Sequence, residues 1–135
     1  MTFLKNRAFW QLAIISGICI GLSYHRSYLG LLSYIGFIPI IHTWLKNNPK
    51  RNFFSGYIFG IVYNIISNYW IATNSGAEFI VVIFSLISAV LYLSIFWGIA
   101  GYIIGLFNKT NNPFIILPFL IVSLEWIRSF GPLGF

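Results

Sequence analysis

The ten charged residues of this 135-residue chain divide it into five long apolar stretches. They precede the first stretch, separate successive stretches and close the last one: Lys5, Arg7, Arg26, Lys46, Lys50, Arg51, Glu78, Lys109, Glu125 and Arg128. An ionised side chain at the centre of a bilayer costs about 2.5 to 3.5 kcal/mol on insertion scales. Charges confined to the ends of apolar stretches therefore indicate an all-α polytopic membrane protein.

The composition excludes an ordinary water-soluble domain. The chain is 59% hydrophobic and 7% charged, and both of its acidic residues are Glu. A soluble domain has about 25% charged residues, so this chain has too little polar surface to stay in water as a monomer. The net charge of +6 could suit nucleic acid, but the basic residues flank apolar stretches and form no single patch. We expect no nucleic-acid partner.

The apolar stretches predict about five transmembrane helices in a single module covering residues 1–135. A helix needs about 20 residues to cross the hydrocarbon at 1.5 Å per residue. The predicted helices are 8–24, 28–45, 53–73, 79–107 and 113–127. The first is expected to remain as an uncleaved signal-anchor. The fourth is so long that it must tilt or project beyond the bilayer, and the fifth is marginal for a span.

The basic residues predict the orientation of the module. With the N-terminus in the cytoplasm, six basic residues lie inside, and two, Arg26 and Arg128, lie outside. Because cytoplasmic loops are enriched in Lys and Arg, we expect this orientation and not its reverse. The Glu78 loop and the Glu125–Arg128 end then face the extracytoplasmic side.

Small and polar residues mark the faces where helices are expected to pack. Gly56 and Gly60 form a G-x-x-x-G pattern, with Asn64 one turn later on the same face. Gly101 and Gly105 continue a similar stripe in the fourth helix. Small residues let helices approach closely, and amides hydrogen-bond across the contact. We interpret these stripes as packing faces, with a polar substrate pathway as the alternative.

The titratable residues predict no catalytic residue, no metal site and no cofactor. Cys19 stands alone in an apolar helix, where a cysteine usually has a packing role. Neither His25 nor His42 has a partner at ligand spacing. Glu125 and Arg128 are three residues apart, so we expect an ion pair that ends the last helix. The alternative is that both face a partner that docks there.

Several segments together resemble the N-terminal membrane region of apolipoprotein N-acyltransferase. The most specific is the ending Glu125-Trp126-Ile127-Arg128 with the Gly- and Phe-rich residues 129–135. Gly56-Tyr-Ile-Phe-Gly60 and Asn68-Tyr69-Trp70-Ile71 match in order and spacing, and Gly36-Phe37-Ile38-Pro39 matches more loosely. The resemblance covers most of the chain but only the early part of the family.

The resemblance implies a multi-pass protein of the bacterial inner membrane. The family transfers an acyl chain from a phospholipid to the α-amino group of a lipoprotein's diacylglyceryl cysteine. It does so with a Glu-Lys-Cys triad in a periplasmic nitrilase-like domain. No residue here matches that triad, so we expect a truncated piece that is inactive alone. Glu125, Trp126 and Arg128 are the best candidates for touching the periplasmic domain, which would hold the lipoprotein, or a phospholipid headgroup.

Two other functions stay open on the sequence. The glycine stripes could assemble a small oligomeric transporter or channel subunit, although such proteins usually carry an ionisable residue at mid-membrane. The chain could also be a non-catalytic membrane anchor for a separately encoded domain.

Overall fold

The computed structural model describes residues 2–73, 76, 78–107 and 113–131, and within these ranges not the side chains of 2–8 and 113–114. Five α-helices account for most of these residues: α1 (Thr2–Ser23), α2 (Leu31–Lys46), α3 (Pro49–Ser67), α4 (Phe79–Phe107) and α5 (Pro113–Ser129). Short 3₁₀ turns cover Ser27–Leu29 and Tyr69–Thr73. The described residues contain no strand, so the prediction of an all-α fold is confirmed.

The helix α3 lies between α1 and α4 and organises the bundle. It runs antiparallel to α4, since Gly60 lies against Ser94 and Pro49 lies against Gly105. It runs parallel to α1, because Gly17 lies against Val62 and Gly21 lies against Ile66. We call the two ends of the bundle the Pro49 end and the Ser67 end, after the first and last residues of α3. A single buried apolar cluster joins the first four helices: Ala13, Ile20, Ile40, Trp44, Phe59, Ala100 and Ile104.

The helix α3 differs from the predicted 53–73 at both of its ends. It starts at Pro49, because the Asn48 side chain accepts a hydrogen bond of 2.9 Å from the Arg51 N–H. An Asn N-cap followed by Pro at the first helical position is a strong start signal. The helix ends at Ser67, and a 3₁₀ turn continues the chain to Thr73. Asn68, whose side chain donates to Asn64 Oδ1, stands at this change.

The other helices follow the predicted stretches more closely. The helix α4 has the predicted bounds, 79–107. The helix α1 extends the prediction of 8–24 towards the N-terminus as far as Thr2, and α5 extends 113–127 to Ser129. The predicted 28–45 divides into a 3₁₀ turn and α2. A hydropathy pattern marks where an apolar stretch ends. The backbone hydrogen bonds of a helix can continue beyond that point into polar and charged residues.

Large apolar side chains cover the outside of the described bundle. Tyr34, Phe84 and Phe119 are each more than 60% exposed. Two segments, Ser27–Lys46 and Phe79–Phe107, are long and apolar enough to cross a membrane, and Phe9–Ser23 is a shorter apolar helix. The helix α3 is less apolar because it carries Lys50, Arg51, Asn52 and Asn64.

Candidate functional site

The contact between α3 and α4 depends on glycine in both helices. A methyl group at Gly56 would strike the Trp97 carbonyl oxygen, and one at Gly101 would strike the Asn52 carbonyl oxygen. A Cβ atom at Gly105 would lie 2.6 Å from Pro49 Cα. Because the opposing atoms belong to the backbone, they cannot rotate away. These glycines fix the register of the two helices.

Asn64, the polar residue of this stripe, lies inside the same contact. It is 2% exposed, and its Nδ2 donates to the Gly60 carbonyl at 2.8 Å and to Ser94 Oγ on α4 at 3.5 Å. Its Oδ1 accepts from Asn68 Nδ2 at 3.2 Å. Since its donors and acceptor are used by neighbouring helix residues, the arrangement favours packing over a polar pathway.

A second buried polar cluster, which the sequence did not reveal, holds α2 against the start of α3. Trp44 Nε1 donates to Ser55 Oγ at 3.1 Å, and Asn52 Nδ2 donates to the Trp44 carbonyl at 2.6 Å. Ser55, Asn52 and Trp44 are all fully buried. The available signal was a four-residue spacing through α3: Asn52, Gly56, Gly60, Asn64 and Asn68. Because the predicted helix began at Phe53, Asn52 was left out of this spacing.

Glu125 and Arg128 form an ion pair on the last turns of α5. Arg128 Nη2 lies 2.6 Å from Glu125 Oε2. The Arg128 side chain is 19% exposed and that of Glu125 is 45% exposed. Arg128 Nε, like Ser16 Oγ and Asn52 Oδ1, is buried and has no hydrogen-bond partner among the described residues. A buried N–H group without an acceptor is costly, so an acceptor from outside the described residues would stabilise Arg128.

The ion pair lies beside the middle of α4. Glu125 borders a cleft with Phe96 and Trp97 there. Gly56 of α3 lies against Trp97, so this cleft is level with the middle of α3.

Trp126, the third predicted residue, points away from the bundle. It is 65% exposed, and its ring meets that of Phe130 edge-on at a centroid distance of 4.9 Å. Phe130 is 74% exposed. The structure therefore brings Glu125 and Arg128 together and separates Trp126 from them, on the outer face of α5.

A cavity of about 550 Å³ opens at the Ser67 end, beside the Asn68–Ile71 segment. Tyr24, His25 and Arg26 line one side, and Ser67, Tyr69 and Trp70 line the other. The His25 and Tyr69 rings meet edge-on at 5.1 Å. Aromatic and cationic groups at the ends of apolar helices are typical of a membrane–water interface.

Within the described residues, no group of three or more His, Cys, Asp or Glu side chains could hold a metal ion. Cys19 is partly buried at the α1–α2 contact, close to Gly36. The cleft beside Glu125 has a volume of about 10 Å³, room for about one water molecule. The arrangement suits helix packing and docking better than chemistry on a bound substrate.

The fold and its apolar outer surface define an all-helical module with two helices able to cross a membrane. Residues 16–135 match the family described as "Apolipoprotein N-acyltransferase N-terminal domain". The chain belongs to this family. The match includes both the Gly56–Gly60 stripe and the Glu125–Arg128 pair.

A curated relative resembles this chain over most of its length. The protein named "Apolipoprotein N-acyltransferase" from Geobacter metallireducens is 26% identical over 131 residues, which cover 93% of this chain and 25% of the relative. The chain thus spans about a quarter of the length of that relative. No solved structure matches this chain.

Proposed function

We propose that this chain supplies the membrane part of a lipoprotein N-acyltransferase. The reaction would move a phospholipid acyl chain to the N-terminal diacylglyceryl cysteine of an apolipoprotein. The observation that carries the proposal is the family match over residues 16–135. The curated relative, matched over a quarter of its length, supports the same assignment.

In this proposal the five helices cross the bacterial inner membrane with the N-terminus in the cytoplasm. The basic residues support the orientation: Lys46, Lys50 and Arg51 lie at the Pro49 end, whereas Arg26 and Glu78 lie at the other. The exposed Tyr34, Phe84 and Phe119 suit contact with lipid.

The Ser67 end is then the extracytoplasmic face, where the module would meet a catalytic domain or a phospholipid headgroup. Arg128, on the last turn of α5, is the candidate docking residue nearest to this face in sequence, and its buried Nε–H has no acceptor among the described residues. The exposed Trp126–Phe130 pair offers an apolar anchor on the same turn of α5. Catalysis itself would reside outside residues 1–135, so the chain alone would be inactive.

Two assays with one product test this proposal. The purified chain is incubated with phospholipid and a diacylglyceryl lipopeptide, and the acylated product is sought by mass spectrometry. We expect no product. A chimera in which this chain replaces the matched quarter of the Geobacter metallireducens relative should form it. Transfer by the chain alone would contradict its inactivity, and a well-folded, membrane-inserted but inactive chimera would contradict the family role.

Trp126→Ala in the same chimera tests the docking surface. Trp126 is 65% exposed, so its loss should change the unfolding free energy by no more than about 0.5 kcal/mol. Removing an aromatic anchor at an interface typically costs more than about 1 kcal/mol of binding, so acyl transfer should fall. Phe119→Ala, a similarly exposed change nearer the other end of α5, is the control and should leave transfer unchanged.

A further inference from the structure

A basic cavity opens at the Pro49 end, opposite to the candidate site. It has a volume of about 630 Å³, within the range of roughly 300–1,000 Å³ of small-molecule sites. The helices α1, α2 and α3 and the turn between the last two enclose it. Its lining residues are Phe9, Leu12, His42, Thr43, Lys46, Asn47 and Arg51.

Two cationic side chains border this cavity, and neither Glu of the sequence does. Lys46 ends α2, and Arg51 stands in the first turn of α3. The two acidic side chains of the sequence lie elsewhere: Glu78 directly precedes α4, and Glu125 borders the cleft near the middle of α4. The lining side chains therefore carry a net positive charge, which favours an anionic group.

A smaller apolar cleft adjoins the cavity and shares two of its walls. It has a volume of about 120 Å³ and is lined by Phe9, Trp10, Arg51 and Phe54. Arg51 thus borders both the polar cavity and the aromatic cleft. Trp10 is 40% exposed and Phe54 is 57% exposed, so the cleft opens towards the outer surface of the bundle. Such a pair of spaces suits a ligand with an anionic head and an apolar tail.

We propose that this cavity binds the headgroup phosphate of an anionic glycerophospholipid. Lys46 and Arg51 would hold the phosphate, and the cleft at Trp10 and Phe54 would take the start of an acyl chain. Basic pockets between membrane helices are known to recognise such headgroups. The inference rests on the membrane placement given above, with the Pro49 end at the cytoplasmic leaflet, but not on acyl transfer.

The test measures lipid binding to the whole chain purified in a neutral detergent. Native mass spectrometry gives apparent dissociation constants for phosphatidylglycerol, phosphatidylcholine and inorganic phosphate. Each cation near an anionic headgroup raises the binding affinity about fivefold. With Lys46 and Arg51 both contributing, phosphatidylglycerol should bind about 25-fold more tightly than phosphatidylcholine. Inorganic phosphate, which has no apolar part, should bind more weakly than phosphatidylglycerol.

Single substitutions locate the site. Lys46→Gln and Arg51→Gln should each weaken phosphatidylglycerol binding about fivefold. Lys50→Gln removes the same charge from the neighbouring position, but Lys50 does not line the cavity, so binding should be unchanged. Phe54→Ala should weaken the binding of phosphatidylglycerol and not of phosphate. Circular dichroism melting of each variant checks that the fold is retained.

Three results would overturn the inference. The first is that Lys50→Gln weakens phosphatidylglycerol binding as much as Lys46→Gln and Arg51→Gln do, which indicates a diffuse surface charge. The second is that inorganic phosphate binds as tightly as phosphatidylglycerol, which indicates a simple anion site. The third is that phosphatidylglycerol and phosphatidylcholine bind equally well. Alkaline extraction of membranes containing the chain separates these failures from a failure of the proposed function. If the chain resists extraction yet shows no preference, only the lipid site is wrong.

Discussion

The residues that matter most to this fold are those with the smallest side chains. At Gly56 and Gly101 the backbone of one helix touches the backbone of the other, and the carbonyl oxygens of Trp97 and Asn52 fill the space that a side chain would need. Close approach increases van der Waals contact between helices, which is the main source of helix association where no hydrophobic force operates.

Gly56→Ala should therefore destabilise the bundle despite the higher helix propensity of Ala. The added methyl group meets the Trp97 carbonyl, so α3 and α4 must separate, at a cost of about 1–3 kcal/mol. The measurement is the free energy of unfolding in mixed detergent micelles.

Gly30→Ala is the matched control. Gly30 has φ −55°, a right-handed helical conformation that Ala also adopts. An added Cβ atom would lie 3.2 Å from the Ser27 carbonyl oxygen, a close contact that a small shift relieves, so stability should change by less than about 1 kcal/mol. Equal losses for the two variants would show that the α3–α4 contact is not the cause.

At the level of the helix, the start of α3 is fixed by its cap. Asn48 accepts the Arg51 N–H at 2.9 Å, and Pro49 supplies a first residue whose φ already suits a helix. Because the helix begins at Pro49, Asn52 lies in its first turn, where its Nδ2 donates to the Trp44 carbonyl. The cap thus stabilises the turn of α3 that carries this buried contact with α2.

Asn48→Ala should destabilise the chain by about 1 kcal/mol, since the cap hydrogen bond is lost. Asn48→Ser retains a cap acceptor and should stay close to the parent chain. Equilibrium unfolding of both variants checks this. If Ser were as damaging as Ala, the cap would not be the reason why α3 begins at Pro49.

The sequence predicted the number of helices and the full extent of α4, because each apolar stretch is bounded by charged or turn-forming residues at which the helices end. It also predicted the Glu125–Arg128 ion pair from helical spacing. It misplaced the start of α3, since it took Lys50 and Arg51 as a loop and overlooked the Asn48–Pro49 signal. The pairing of Gly101 with Asn52 depends on tertiary register, which periodicity does not contain.

Across the whole molecule, α4 is longer than the bundle around it. Gly60 lies opposite Ser94, so the end of α3 falls near residue 87 of α4, and the first eight residues of α4 continue about 12 Å further. The full helix of 29 residues rises about 43 Å, against roughly 30 Å of hydrocarbon. The overhang stands beside the Tyr69–Thr73 turn.

Cysteine labelling measures this overhang and the orientation together. In a Cys19→Ala background, Ser85→Cys should react with a membrane-impermeant maleimide added outside, because Ser85 lies in the exposed overhang. Ser94→Cys should stay unlabelled, since Ser94 is fully buried. Lys50→Cys should react only after the membrane is opened. Labelling of Lys50→Cys from outside would reverse the proposed orientation.

The parallel pairing of α1 with α3 sets an order for biogenesis. The α1 residue Gly17 packs on Val62, about 45 residues later in the chain. The helix α2 is synthesised after α1 and before α3. At about 5–20 residues per second, α1 waits roughly 2–9 s in the membrane before its partner is made. During that interval the face of α1 around Gly17 has no α3 to pack on. Cellular insertion factors therefore have their best opportunity to bind this first helix, correctly or incorrectly, before α3 is made.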